Sequence, residues 1–422
     1  MTHATKLLAL AFAGLSWINA ASAQQADAPT AYSETPPVVA EAPATEPTPA
    51  LIGAGPNMPV SHDPGMFPAL RPLAQPRPFL EVHGFTALWV APMTNEEAPQ
   101  RTVETFRLRW AILRIDAHPT QHLHVVTRLG LMLDNPLLDA SVSWTRLRAL
   151  NITFGQFRMP LGAAATTLAP QLVMQDRPTY IYAMTKATFR DVGVMFGSGD
   201  GGLADGLIHY RLAIASGNGR VAVGDPMRAD NVRDLLWIGR LIADVGPRIA
   251  PGMRLALGGT AAFTRDPALD DTNAAAARAT AANLLGRSWA PLGEERDTLL
   301  TGADLTFSNA QMWAQAEWMR LSSTPIAGGP ARRSSGASLE LGYKLPWTLE
   351  GTTFQVAARG ELVDPNTDVD DDGYTIVSGG LNVLPTPYMR VSAFGQGTFF
   401  KDAATGDETV GSEINLRAAL AF

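Results

Sequence analysis

Charged side chains recur at every second position in several segments of this 422-residue chain. Arg107 is followed by Arg109, and Arg359 is followed by Glu361, with one apolar or small residue between them. Successive side chains of a β-strand point to opposite faces, so each pair occupies one face of a strand. Arginine carries several N–H donors in a rigid fork that suits the recognition of anions. The pattern predicts charged strand faces that bind or conduct polar solutes.

Two clusters leave other chemistry open. His122 and His124 share one strand face at a spacing that could hold a metal ion, although polar positions facing water explain them without a metal. Ser141 and Ser143 lie near them in strand order, which keeps a hydrolytic barrel as an alternative. No third catalytic partner, Gly-x-Ser-x-Gly segment, His-Glu-x-x-His segment or P-loop is evident. The sequence therefore predicts no enzyme, no catalytic residue and no cofactor.

Residues 364–373 form an oxygen-rich segment, Asp-Pro-Asn-Thr-Asp-Val-Asp-Asp-Asp-Gly. Its carboxylates resemble those of a Ca²⁺-binding loop, but it lacks the glutamate that closes an EF-hand. An acidic outer loop that is bridged to lipopolysaccharide through divalent ions explains the segment equally well. We assign no metal site to it.

Sixteen alternating segments, separated by turn residues, predict the strands that position these side chains. They are 79–92, 103–116, 120–133, 138–147, 150–160, 189–197, 206–216, 232–245, 252–264, 297–308, 311–322, 334–345, 352–363, 373–384, 387–400 and 411–422. Most reach the roughly 9–11 residues that a tilted strand needs to cross a bilayer. Short connections such as Asn309-Ala310 alternate with long ones such as 161–188. This order is typical of a single closed antiparallel β-barrel in a bacterial outer membrane.

The alternation also assigns the faces of the barrel wall. Leu108, Trp110 and Ile112 share one face, opposite Arg107 and Arg109. We expect apolar faces to contact lipid, because a charge near the middle of the bilayer costs about 2–4 kcal/mol. The residues predicted to face the lumen are Arg107, Arg109, Arg128, Arg211, Arg359, Glu361 and Arg417.

Both ends of the chain predict export to the outer membrane. Lys6 precedes an apolar run that ends before Ala21-Ser22-Ala23, so residues 1–23 read as a signal peptide. The last residue, Phe422, ends an alternating strand, as in outer-membrane barrels. Residues 24–78 are rich in proline, alanine, threonine and glutamate and predict a disordered periplasmic tail. The barrel is expected to occupy residues 79–422.

One stretch resembles a known family. Phe154-Gly-Gln-Phe-Arg-Met-Pro-Leu-Gly162, a long loop, and then Phe189-Arg-Asp-Val-Gly-Val194 are similar to the phosphate-selective porin O and P family. The resemblance implies a sixteen-stranded porin, usually trimeric, whose third extracellular loop folds inward and narrows the pore. Here that loop is 161–188. The residues placed at the constriction are Arg158, Arg177, Tyr180, Tyr182, Lys186 and Arg190.

The charge balance predicts only a weak preference of the pore for anions. The net charge is −7, which also argues against nucleic acid as a partner. Acidic residues at predicted lumen positions oppose the arginines; they are Asp304, Glu317, Glu340, Glu361 and Glu413. We therefore expect a diffusion porin that passes small hydrophilic solutes and anions such as phosphate, with membrane lipid and lipopolysaccharide around it. The alternative is an outer-membrane barrel with a surface-binding or hydrolytic role and no open channel.

Overall fold

The computed structural model describes residues 80–90, 93–94, 107–132, 136–147, 149–184, 190–199, 202–216, 235–266, 296–369, 372–386, 388–401 and 408–421. These residues form sixteen long strands in one antiparallel sheet. The strands are β1 Leu80–Val90, β2 Arg107–Thr120, β3 Leu123–Gly130, β4 Leu137–Leu147, β5 Leu150–Arg158, β6 Arg190–Gly197, β7 Ile208–Ala215, β8 Leu236–Asp244, β9 Arg254–Asp266, β10 Arg296–Ser308, β11 Met312–Pro325, β12 Arg332–Leu349, β13 Thr352–Asp364, β14 Tyr374–Thr386, β15 Met389–Lys401 and β16 Glu408–Ala421.

The sheet closes on itself as a barrel. Each strand pairs with the next along the chain, and β1 also pairs with β16, with Phe85 opposite Ala421. A two-residue strand, Met93–Thr94, extends this seam along β16. Closure removes the unpaired edges that an open sheet would expose. The predicted sixteen-stranded barrel is confirmed, and each predicted segment coincides with one strand.

Connections of two kinds join the strands. Those after β2 and β12 are tight turns, at 121–122 and 350–351, whereas the one between β5 and β6 spans 159–189. Two connections at the same end of the barrel as the tight turns are longer: 198–207 and 245–253. The second contains a short helix, α3 (Gly246–Ile249), which takes up the extra residues. In the described part of the chain, no helix is long and apolar enough to span a membrane. The signal peptide and the tail predicted for residues 1–78 lie outside the described residues.

Strand alternation sorts the side chains onto two faces. In β13, Val356 and Leu362 are exposed on the outer face, whereas Gln355, Arg359 and Glu361 are buried on the inner face. β16 repeats the arrangement at residues 414–417, with Ile414 and Leu416 exposed outside and Asn415 and Arg417 buried inside. An apolar exterior around a polar interior is what lipid outside and water inside require.

The start of β2 breaks this alternation. The pairing of β1 with β2 shifts register after Ala87, as it does at a β-bulge. Beyond the bulge, Trp110 and Ile112 pack against an inner cluster that includes Ala169 of the long loop. The prediction that these two side chains face lipid is therefore wrong, because one extra residue moves every following side chain to the other face. Leu108, before the shift, remains 40% exposed.

Candidate functional site: a loop seated across the lumen

The connection between β5 and β6 folds into the barrel. It carries two short helices, α1 (Ala163–Thr166) and α2 (Thr179–Met184), and a 3-10 turn at Ala169–Gln171. Its apolar side chains are buried or half-buried; they are Leu161, Leu168, Leu172, Val173, Met174 and Ile181. The predicted inward fold of loop 161–188 is thus confirmed. Residues 185–188, including Lys186, lie outside the described residues.

An apolar cluster joins the loop to the inner wall. On the loop side it contains Tyr180, Ile181 and Met184, and on the wall side it contains side chains from several strands. The wall residues include Met195, Ile238, Leu300, Met319 and Val363. Burial of a large apolar side chain contributes about 1.5–3 kcal/mol. The loop is therefore packed as part of a core and does not stand free in the lumen.

Three neighbouring strands present glutamates to the backbone of the loop. The hydrogen bonds run from Ala164 N to Glu317 Oε2 (2.7 Å), from Met174 N to Glu340 Oε1 (3.2 Å) and from Thr179 N to Glu361 Oε2 (2.5 Å). A buried N–H group that loses its acceptor costs about 1–3 kcal/mol. The sequence predicts that these carboxylates weaken the attraction of the lumen for anions. In the structure each of them also accepts a hydrogen bond that fixes the position of the loop.

The next three strands present donors to carbonyl oxygens of the loop. The bonds run from Asn382 Nδ2 to Val173 O (3.0 Å), from Arg390 Nη1 to Leu172 O (2.6 Å) and from Arg417 Nη1 to Gln175 O (2.7 Å). Asn382 and Arg390 were missing from the predicted lumen residues. Each is preceded by an exposed apolar residue, Leu381 or Met389, so the alternation of β14 and β15 could have identified them.

Tyr180 fixes the second helix of the loop. The side chain is fully buried, and its hydroxyl lies 3.1 Å from the Ser338 hydroxyl of β12. The ring lies over Gly336, where an added Cβ atom would be only 2.4 Å from the Tyr180 Cγ atom. The glycine therefore provides the space for the ring. Tyr180, predicted to line the constriction, is positioned to hold the loop against the wall.

Two predicted constriction arginines bond to the loop itself. Arg158 donates to Thr167 O at 2.6 Å. Arg177 donates to Ala164 O at 3.1 Å and also to Thr167 O, and it is only 4% exposed. Their guanidinium groups satisfy backbone carbonyls around the first helix of the loop. These hydrogen bonds explain why the loop contains Arg177. They do not place Arg177 at an open passage.

The remaining predicted arginines differ in their contacts. Arg128, predicted to face the lumen, and Arg190, predicted to line the constriction, share the carboxylate of Asp139, at 2.8 and 2.6 Å. Arg359 bonds to Glu361 at 2.9 Å, and it also donates to a carbonyl of the loop at residue 176. Arg211 is half-buried in β7, and the side chain of Arg107 lies outside the described residues.

A cluster of charged and aromatic side chains joins the loop to the wall formed by β1 and β2. Arg109 Nη2 lies 2.8 Å from Asp176 Oδ2, and the Tyr182 hydroxyl donates to the same carboxylate. The Arg109 guanidinium carbon lies 5.2 Å from the ring centroid of Trp89 and 5.5 Å from that of Trp110. The side chains of Arg109 and Asp176 are 29% and 21% exposed, so solvent reaches this ion pair. We call these five residues the Arg109 cluster.

Asp176 makes the Arg109 cluster sensitive to strong acid. Burial acts to raise the pKa of Asp176, but Arg109 and the Tyr182 hydroxyl hold that pKa below its ordinary value. Burial and the Asp176 charge raise the pKa of Tyr182, so its hydroxyl keeps its proton. A carboxylate with a lowered pKa contributes stability above its unfolded-state pKa and loses it as the pH falls through its folded-state pKa.

We therefore predict how an Asp176→Asn variant differs from the wild type across pH. The variant leaves Arg109 without a carboxylate and should shift the zero-current potential toward anions. The difference should persist down to about pH 4, near the ordinary pKa of aspartate, and should vanish only in stronger acid. Zero-current potentials from pH 7 to pH 3 test this. Convergence already between pH 7 and pH 5 would contradict the assignment.

The two alternative clusters do not assemble a catalytic or metal site among the described residues. His124 Nε2 lies 2.8 Å from Asp116 Oδ1, and its ring stacks on that of His118 at 4.6 Å. His122 instead contacts Gln121 in the turn. In the part of the chain that is described, no three histidine or carboxylate side chains are placed to hold a metal.

The candidate nucleophiles near these histidines, Ser141 and Ser143, are both buried. The Ser143 hydroxyl lies 2.9 Å from that of Thr153. A substrate has no direct access to the Ser143 hydroxyl. In the acidic segment 364–373, residues 370 and 371 lie outside the described residues.

The fold resembles solved outer-membrane proteins. The anion-selective porin from Comamonas acidovorans is similar with a TM-score of 0.54 at 11% identity, over 81% of this chain and 99% of that chain. The fold is a porin fold. The outer membrane channel DcaP of Acinetobacter baumannii has a TM-score of 0.52 at 11% identity, over 81% and 97% of the two chains. The trimer form of OmpT, an outer membrane protein of Vibrio cholerae, has a TM-score of 0.50 at 11% identity, over 81% and 99%. The sequence matches no family model and no curated protein.

Proposed function

We propose that the chain is a diffusion porin of the bacterial outer membrane that passes small hydrophilic solutes and ions. The observation that carries this proposal is the difference in solvent exposure between the contacts of the inward loop. Hydrogen bonds from β11 to β16 hold the loop through buried groups, whereas its contact with β1 and β2, the Arg109 cluster, remains partly open to solvent. We propose that the passage for solutes runs beside this exposed contact.

The proposed passage favours anions weakly. Arg109 is its half-exposed cation, and Asp176 offsets part of that charge. Deeper in the wall, carboxylates already pair with arginines, as Asp304 does with Arg240 at 2.8 Å. A strong preference needs one sign of charge to dominate the narrowest section. Phosphate is accordingly proposed as one permeant anion among several, and membership of the phosphate-selective porin family stays part of this proposal.

The surroundings of the barrel are proposed on the same basis. The exposed apolar outer face is suited to membrane lipid, and the acidic segment 364–373 to lipopolysaccharide that is bridged by divalent ions. OmpT of Vibrio cholerae has been described in a trimer form, and we propose a homotrimer here. Export by the predicted signal peptide at residues 1–23 completes the proposal.

Planar-bilayer recording with the purified protein tests the proposed function. We expect stepwise conductance increases in KCl and a small zero-current potential of the anion-selective sign in a KCl gradient. Protein denatured before addition is the matched control for detergent artefacts. A folded barrel that never conducts would contradict the porin and favour the alternative, a surface-binding or hydrolytic barrel without an open channel.

A further inference from the structure

Arg390 and Arg417 are neighbouring arginines that are buried completely between the loop and the inner wall. Their exposed fractions are 0% and 1%. In the pairing of β15 with β16, Arg390 lies opposite Ala419 and Arg417 lies opposite Ser392. The two arginines are thus diagonal neighbours on one face of the sheet, a separation of about 7–8 Å that long side chains readily bridge.

Among the described residues, each of the two guanidinium groups makes one hydrogen bond, and both bonds go to the loop. Arg390 Nη1 donates to Leu172 O, and Arg417 Nη1 donates to Gln175 O. The Nε and Nη2 atoms of both arginines are buried and have no hydrogen-bond partner among the described residues. The ion pairs of the described residues include neither arginine. The adjacent carboxylate, that of Asp176, is bonded to Arg109.

This arrangement differs from that of two other buried arginines of the barrel wall. Arg240 is paired with Asp304 at 2.8 Å, and Arg128 is paired with Asp139 at the same distance. A buried charge is unfavourable unless it is paired and hydrogen-bonded, and two adjacent cations also repel each other. Water would supply acceptor lone pairs to the four remaining donors but no negative charge. The missing component is an acceptor that carries negative charge.

We propose that a small inorganic anion, such as chloride or phosphate, binds between Arg390 and Arg417. Guanidinium groups suit such an ion, because their several N–H donors converge on one acceptor group. The ion holds the loop segment around Leu172 and Gln175 against β15 and β16. It is a bound counter-ion held between the loop and strands β15 and β16, distinct from ions that pass the Arg109 cluster. The proposed anion site does not require conduction, so the proposal holds even if the barrel does not conduct.

Thermal unfolding of the full chain in detergent tests the proposal. The melting temperature is compared in sodium chloride, sodium phosphate and sodium gluconate at equal ionic strength and pH, since gluconate is a much larger anion than the other two. A ligand that binds only the folded state stabilises it. We expect the wild type to melt about 2 °C or more higher in chloride or phosphate than in gluconate. The double variant Arg390→Gln with Arg417→Gln should lose this difference.

Arg240→Gln is the matched control, because it removes a buried arginine that has a carboxylate partner. It should lower the melting temperature in all three salts and keep the difference between them. The same anion dependence in the wild type and in the double variant would overturn the proposal, as would no anion dependence in the wild type.

Crystals of the wild type grown in sodium bromide give an independent result that needs no variant to fold. An anomalous peak within hydrogen-bond distance of both guanidinium groups supports the site. Ordered water without an anomalous signal at that position overturns it.

Discussion

A Gly336→Val variant is expected to release the loop from the wall and to raise the single-channel conductance. Any side chain at position 336 starts with a Cβ atom, which would lie 2.4 Å from Tyr180 Cγ and 2.5 Å from Tyr180 Cβ. Tyr180 is fully buried against neighbouring strands, so the ring cannot give way without moving the second helix of the loop. Forcing extra atoms into a packed interior typically costs about 1–3 kcal/mol. Single-channel recording in KCl and permeation of larger uncharged solutes measure the opening.

Gly259→Val is the control for the effect of replacing a strand glycine by valine. Gly259 is an exposed strand glycine, and an added Cβ there meets no atom within 4 Å. The control should fold and conduct like the wild type, since valine suits a strand and an apolar outer face. Unchanged conductance in a folded Gly336→Val barrel would show that the loop position does not set the size of the passage.

The sequence predicts the barrel wall well, because its signal is repeated along every strand. Apolar and polar residues alternate along each strand because one face meets lipid and the other meets water. This alternation is local and does not depend on distant parts of the chain. The misassigned residues, Trp110 and Ile112, follow a register shift in the pairing of β1 with β2. That shift depends on how two strands fit together, and no local pattern indicates it.

The site was predicted less completely than the wall. The apolar composition of loop 161–188 indicates burial, and the loop is indeed buried. Composition does not show which polar atoms meet, and Arg177 illustrates this limit. In the sequence it is a loop cation suited to a pore, whereas in the structure it bonds to carbonyls of its own loop. Likewise, Glu340 reads as a lumen charge but accepts a backbone N–H of the loop.

Substitution of the partly exposed Arg109 should therefore change the ion selectivity, whereas substitution of the buried Arg177 should change the stability. Arg109→Glu places a second carboxylate beside Asp176 and replaces an ion pair with two negative charges. We expect the zero-current potential in a KCl gradient to change from weak anion preference to cation preference. The effect should fade toward 1 M salt, where the screening length is about 3 Å. Arg177→Gln should instead lower thermal stability by about 1–3 kcal/mol, because it removes hydrogen bonds from a charged donor, and should leave the sign of the potential unchanged.

Arg248→Glu provides the same change of charge at an exposed position in the connection between β8 and β9. It should leave both the potential and the stability close to those of the wild type. If Arg109→Glu and Arg248→Glu shift the potential equally, the effect comes from the overall charge of the barrel and not from a passage beside the Arg109 cluster. If Arg177→Gln reverses the potential while Arg109→Glu does not, the passage lies on the other side of the loop. At low salt the screening length exceeds the width of one side chain, so a charge outside the passage can still influence the potential. The salt dependence of the potential is therefore measured for all three variants, because a charge that lines the passage keeps more of its effect as salt rises.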